Sequence, residues 1–198
     1  MDENQVHKEK MQALQESQRQ KRLASKKSDR GLVLVHTGNG KGKSSAAFGV
    51  LARALGWGHR VAVVQYVKGT WKTGEKNFFD TLPVDWFVMG EGFTWDTQDR
   101  EKDIAAAEAA FERSKLLLTS GDYDLVLLDE INIALRYDYL DIHAVIDGIA
   151  ARHERTSVIL TGRDAKAELI AAADLVTEMQ EIKHPYQAGI MARKGIDF

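Results

Sequence analysis

The stretch that most constrains the fold of this chain is residues 32–45, Leu-Val-Leu-Val-His-Thr-Gly-Asn-Gly-Lys-Gly-Lys-Ser-Ser. An apolar run with strand character ends in a turn containing Gly38, Gly40 and Gly42. Lys43 and Ser44 follow, and then the helical pattern Ala46-Ala47-Phe48-Gly49-Val50-Leu51. Glycines let the backbone curl so that successive N–H groups converge on an anion. The helix that follows adds the positive end of its dipole. This is the composition of a phosphate-binding loop. Gly38, Asn39, Gly40, Lys41, Gly42, Lys43, Ser44 and Ser45 would hold the nucleotide phosphates, and the Ser44 hydroxyl would ligate Mg²⁺. The usual pattern has glycine at the first loop position, where this chain has Thr37. That departure is compatible with a phosphate chain held in an unusual way.

From residue 31 onward strands and helices alternate. Apolar, β-branched runs predict strands at 32–36, 60–67, 84–89, 125–128, 157–160 and 175–179. Helical periodicity predicts helices at 43–55, 75–80, 97–118, 141–150 and 166–173, the longest carrying Ile104, Ala107, Phe111 and Leu118 on one stripe. Gly56-Trp57-Gly58 and Gly121-Asp122 supply helix stops. The alternation predicts an α/β fold of the P-loop NTPase (RecA-like) type, a parallel β-sheet flanked by helices on both faces. The tail from residue 183 has no clear period. Residues 1–30 are polar and rich in Lys, Arg, Gln and Glu, with Val6, Met11, Leu14 and Leu23 too sparse for an apolar face. They read as a helical or flexible arm, leaving 31–198 as one domain.

In parallel sheets ligands bind at the carboxyl ends of the strands. The chemically suggestive residues all fall there: the phosphate loop, Lys68, Phe93 and Trp95, Asp129-Glu130, and Arg163. Asp129 ends four consecutive apolar residues, the place of the carboxylate that holds Mg²⁺ on nucleotide phosphates. Glu130 fits the group that polarises an attacking water or, where the nucleophile needs no deprotonation, a contact to the metal or the ribose. Arg163 is suited to neutralising charge on a leaving phosphate chain. Phe93 and Trp95, in a glycine-flanked loop, would suit a large flat ligand. Arg100 stands near that loop. Arg53 lies three helical turns past Lys43, roughly 15 Å along the axis, too far to touch a phosphate in the loop. The six histidines have no metal-ligand spacing.

Composition closes off other chemistry. The chain has no cysteine, which removes disulfides, a thiol nucleophile and cysteine-ligated iron–sulfur clusters. The formal net charge of −2 supplies no field for nucleic acid or an anionic membrane. No apolar run approaches the ~20 residues that span a bilayer, and the N-terminus is charged, so the expected location is the cytoplasm.

Thr-Gly-Asn-Gly-Lys-Gly-Lys-Ser (37–44), Gln-Tyr-Val-Lys-Gly-Thr-Trp (65–71), Gly-Phe-Thr-Trp-Asp-Thr-Gln (92–98), Val-Leu-Leu-Asp-Glu (126–130) and Thr-Gly-Arg (161–163) together resemble the cob(I)alamin adenosyltransferases of the CobA/BtuR type. The likeness runs from the charged arm to the closing Gly-Ile-Asp-Phe, with Ser44 where relatives commonly carry Thr. The resemblance implies an ATP:corrinoid adenosyltransferase. The 5′-deoxyadenosyl group of ATP would pass to the Co(I) of a reduced corrinoid, triphosphate would leave, and ATP would lie reversed in its loop. Phe93, Trp95, Glu130 and Arg163 would carry the reaction, and Ser44, Asp129 and Glu130 would hold Mg²⁺. Phe93 and Trp95 would displace the lower axial base of the corrinoid, which makes cobalt easier to reduce. The resemblance further implies a homodimer whose N-terminal arm helps cover a site, and an external flavoprotein as reductant.

Two other readings are open at this level. A P-loop ATPase or kinase would use Glu130 to activate its nucleophile and would leave Phe93 and Trp95 unexplained. A non-catalytic, nucleotide-gated corrinoid carrier would tolerate the loss of Lys43 or Glu130. A nucleic-acid motor is disfavoured by the charge and by the absence of a basic stripe.

Overall fold

The computed structural model describes residues 2–25, 29–67, 73–88 and 99–197. The elements run in the order α1 (Glu3–Ala24), β1 (Val33–Thr37), α2 (Lys43–Gly56), β2 (Val61–Gln65), α3 (Gly74–Phe79), β3 (Val84–Val88), α4 (Arg100–Thr119), β4 (Leu125–Asp129), α5 (Ile131–Arg136), α6 (Ile142–Ala150), β5 (Ser157–Thr161), α7 (Ala167–Ala172) and β6 (Leu175–Glu178). A 3-10 helix at Pro185–Ala188 lies in the tail. All five strand pairings are parallel, in the spatial order β3-β2-β4-β5-β1-β6.

The sheet is covered on both faces because its central strands are apolar on both sides along most of their length. Val61, Val63, Leu125, Leu127 and Ile159 face α2 and α3, where Ala47, Phe48, Leu51 and Phe79 close the layer. Ala62, Val64, Val126, Leu128, Val158 and Leu160 face the other way, against Phe111 and Leu118 of α4, Val145 of α6 and Leu169 of α7. Fully burying side chains of this size contributes about 1.5–3 kcal/mol each. The edge strands differ: β6 is exposed at all four positions, and β3 has only exposed and half-buried positions.

Most boundaries match the sequence pattern, and the differences have local causes. The β2 strand ends at Gln65, two residues earlier than its apolar run, and α4 starts at Arg100, capped by the Asp99 side chain on the Lys102 N–H. The α5 helix has no counterpart in the periodicity. Five of its six residues are buried, so it shows no polar face, and the left-handed Glu130 before it (φ 62°) offers no capping side chain. Residues 3–24 form a helix in which nothing is buried. No helix among the described residues is long and apolar enough to cross a membrane.

Candidate active site

Strand order, more than sequence order, assembles the site. The β1 strand sits beside β5, and β5 beside β4, so the phosphate loop, Thr161-Gly162-Arg163 and Asp129-Glu130 emerge from three adjacent strand ends. Register aligns them: His36 pairs with Thr161, and Gln65 at the end of β2 pairs with Asp129. Between them lies a cavity of about 460 Å³ whose walls include Lys41, Gly42, Lys43, Ser44, Ser45, Gln65, Asp129, Glu130 and Arg163.

The loop is shaped largely by its own backbone. Gly42, the residue before α2, has φ 112°, a left-handed conformation that glycine alone adopts without strain. Gly38 (φ 94°) and Gly40 serve a second purpose. A Cβ on Gly38 would stand 2.4 Å from the Met179 carbonyl oxygen, and one on Gly40 would stand 2.6 Å from that of Gln180. The segment after β6 thus presses directly on the loop, with the Gly40 N–H donating to Met179 O at 2.7 Å and the Met179 N–H to Thr37 O at 2.8 Å. Gly38, Asn39 and Gly40 are not part of the cavity wall. Thr37 is explained by the same packing. Its hydroxyl accepts the Ala165 N–H at 3.0 Å and so ties the loop after β5 to the phosphate loop, a tie that the customary glycine could not make.

Lys43 is buried, and its Nζ donates to the Gly40 carbonyl at 2.7 Å, across the mouth of the loop. Burial lowers its pKa; Glu130 opposes the shift, and the Arg163 and Lys41 charges add to it. An ammonium held this way, close to a carboxylate and under-solvated, is poised to take phosphate oxygens as partners.

Asp129 is buried, and its hydrogen-bond partners among the described residues are neutral. Thr161 Oγ1 donates to Oδ1 at 2.8 Å, the Gln65 amide approaches Oδ2 at 3.4 Å, and the Ser44 hydroxyl adds to the set. Burial raises its pKa, and these donors oppose the shift. The Glu130 carboxyl is pushed up to about 7, first by burial and then by the Asp129 charge, with Lys43 and Arg163 pulling the other way. Arg163 is exposed at the rim of the cavity.

Several site-forming contacts are not readable from the sequence. Thr161 opens the Thr-Gly-Arg motif, but the motif does not reveal that its hydroxyl also accepts the Glu130 N–H at 2.9 Å. Asn132, fully buried in α5, donates to the Gly162 carbonyl at 3.1 Å. Arg136 pairs with Asp164 at 3.0 Å, so α5 and the loop carrying Arg163 are held together along their length. Arg53, expected to be out of reach of a phosphate in the loop, is not in the cavity wall. Arg100 donates to the Asp138 carbonyl at 3.3 Å and lies over the Tyr139 ring. Lys68, Phe93 and Trp95 fall outside the described residues.

Comparison with known proteins agrees with this geometry. A corrinoid adenosyltransferase of Pseudomonas aeruginosa is 50% identical over 199 residues, covering 100% of this chain and 98% of that protein. The Escherichia coli (strain K12) protein of the same name is 44% identical over 177 residues, covering 89% of this chain and 90% of its own length. The Salmonella typhimurium corrinoid adenosyltransferase CobA is 45% identical with the same coverage. Among solved structures, the flagellar accessory protein FlaH from Methanocaldococcus jannaschii superposes with a TM-score of 0.52, covering 75% of this chain and 71% of that one. At 11% identity that likeness speaks for the fold alone. The family described as ATP:corrinoid adenosyltransferase BtuR/CobO/CobP matches residues 29–198, which include every described residue of the cavity. The chain therefore belongs to the ATP:corrinoid adenosyltransferases, a family of enzymes.

Proposed function

We propose that this protein transfers the 5′-deoxyadenosyl group of ATP to the Co(I) centre of a reduced corrinoid, forming adenosylcobalamin and releasing triphosphate. The observation that carries the reading is the family match over residues 29–198, combined with a phosphate-loop lysine, two carboxylates and an arginine around one cavity. In the transfer, the cobalt electron pair forms the Co–C5′ bond, and the C5′–O bond breaks with its electrons going to triphosphate. Co(I) is a strong nucleophile, so the protein need not remove a proton. Its work is alignment and stabilisation of charge on the leaving polyphosphate.

On this reading Lys43 leaves the Gly40 carbonyl for phosphate oxygens, and the backbone N–H groups at the start of α2 join it. Lys41 and Arg163, both in the cavity wall, act on the same polyphosphate. ATP lies reversed in the loop, so that its ribose end faces the corrinoid. Phe93 and Trp95 act on the lower face of the corrinoid, a role that follows from the resemblance of Gly-Phe-Thr-Trp to the family motif.

The residues present fit a Mg²⁺ ion. Asp129 is a buried carboxylate whose hydrogen-bond partners are uncharged, beside the Ser44 hydroxyl and the Glu130 carboxyl, and all three donors are hard oxygens. Together with phosphate oxygens and waters they suffice for a magnesium site, which needs only one or two protein carboxylates. When bound, Mg²⁺ would neutralise charge on the polyphosphate.

Residues 31–198 form the transferase domain and residues 1–30 an appended helical arm, consistent with an α1 in which nothing is buried. The resemblance adds a homodimer, a cytoplasmic location and a separate flavoprotein reductant.

The test is direct. Protein, ATP, Mg²⁺ and chemically reduced cobalamin should give a photolabile alkylcobalamin and triphosphate in equal amounts. Phosphate or ADP without alkylated cobalt would instead establish an ATPase or kinase, a reading that the near-neutral pKa of Glu130 would suit. Corrinoid binding without turnover would establish a carrier.

A further inference from the structure

The segment that closes over the phosphate loop brings a carboxylate to it. Asp197 Oδ1 lies 2.6 Å from Lys41 Nζ, and Asp197 and Ile196 both stand in the wall of the cavity. A short turn presents this carboxylate: the Arg193 N–H donates to Asp197 Oδ2 at 2.7 Å, and the Asp197 N–H returns to the Arg193 carbonyl at 2.8 Å. The Asp197 side chain is only 14% exposed, whereas every residue from 185 to 196 is exposed. The tail thus touches the body of the protein through its anion and contributes little buried apolar surface of its own. Segments of that kind open at low free-energy cost.

We propose that Asp197 is an exchangeable stand-in for polyphosphate on the loop, and that it sets the affinity of this site for ATP and for triphosphate. The inference rests on the reading of residues 37–45 as the polyphosphate site. A triphosphate chain entering the cavity seeks the same ammonium group that Asp197 holds, and the carboxylate and the polyphosphate repel one another. The incoming anion therefore displaces the 193–197 turn. After transfer the returning carboxylate competes with triphosphate for Lys41 and promotes its departure. A half-exposed ion pair is a modest competitor, so the exchange is worth a few-fold in affinity, enough to speed product release without blocking substrate.

The experiment compares the full chain with Asp197→Asn in calorimetric titrations of ATP and of inorganic tripolyphosphate, both with Mg²⁺. Removing the competitor should tighten both ligands by about 2- to 5-fold. Affinity that is unchanged or weaker in the variant overturns the proposal, the weaker case making Asp197 part of the bound-state enclosure. Limited trypsin digestion supplies a readout that charge removal alone would not move. In the wild-type protein, ATP should accelerate cleavage after Arg193 and Lys194 if the turn is displaced; protection or an unchanged rate overturns the proposal. Lys43→Ala separates the two levels of inference. If the wild type binds ATP and Lys43→Ala does not, the site reading stands whatever Asp197 does. If neither change alters ATP affinity, the site reading itself fails.

Discussion

Thr161 donates its hydroxyl hydrogen to Asp129 across 2.8 Å, joining the ends of two adjacent strands at the floor of the cavity. The same oxygen receives the backbone N–H of Glu130, so one threonine holds both the Asp129 carboxylate and the backbone of Glu130. Both Thr161 and Asp129 are buried, so a polar partner lost here is costly to leave unmade.

Thr161→Val removes that hydroxyl while keeping the shape. The variant should lose about 1.5–3 kcal/mol of stability, the range for hydrogen bonds to charged groups. It should also need more Mg²⁺ for half-maximal turnover, because the Asp129 carboxylate loses a donor that favours its ionised form. Urea denaturation and a Mg²⁺ titration measure the two effects. Wild-type values in both would mean that Thr161 is a passive strand residue.

Lys43→Ala should weaken ATP binding by about 10- to 100-fold, equivalent to one charge-assisted hydrogen bond lost from the site. Circular dichroism should still report a folded protein, since among the described residues the ammonium hydrogen-bonds to the single Gly40 carbonyl. Unchanged affinity would place the phosphates somewhere other than this loop.

The pH dependence of stability should carry the signature of Glu130. Its ordinary pKa of 4.5 is raised to about 7 by burial and by Asp129, so the folded protein binds a proton that the unfolded chain releases. Its protonated form contributes no penalty below about pH 4.5. The penalty for burying its charge then grows as pH rises toward 7 and is complete above it. Glu130→Gln carries no such charge. Relative to this variant the wild type should lose about 2–3 kcal/mol between pH 4.5 and 8. Thermal melts of both proteins across that range, without Mg²⁺, give the difference; parallel curves would contradict a raised Glu130.

Trp95→Ala should bind ATP as the wild type does and lose about 10-fold or more in adenosylation of cob(II)alamin in the presence of a reductant. With preformed Co(I) supplied chemically, the loss should be smaller, because the step in which Trp95 is proposed to act has been bypassed. Equal losses in the two assays would remove the axial-base role from Trp95.

Much of the site is local and therefore readable from residue order. The strand–loop–helix from Val33 to Gly56 follows from an apolar run, three glycines and a helix former series, and each signal acts over a few residues. Asp129 is legible for the same reason: it is the first charge after a run of strand residues. The α5 helix was not legible, because helices are read from the contrast between a buried and an exposed face, and this one is buried nearly all round.

By itself, then, the sequence determined which residue types stand at each strand end, and through them the α/β class, the phosphate loop and the family. It did so because propensity, periodicity and motif spacing are properties of neighbouring residues. Only the tertiary structure decided that β5 lies between β1 and β4, which makes Thr161 the link between the two halves of the site. It alone showed that Thr37 replaces glycine in order to hold Ala165, that Gly38 and Gly40 are required by the backbone of residues 179–180, and that Asp197 reaches Lys41. These contacts join residues more than 120 positions apart. No local pattern encodes them; they exist because burying both faces of a six-stranded sheet admits this strand order and brings those segments together.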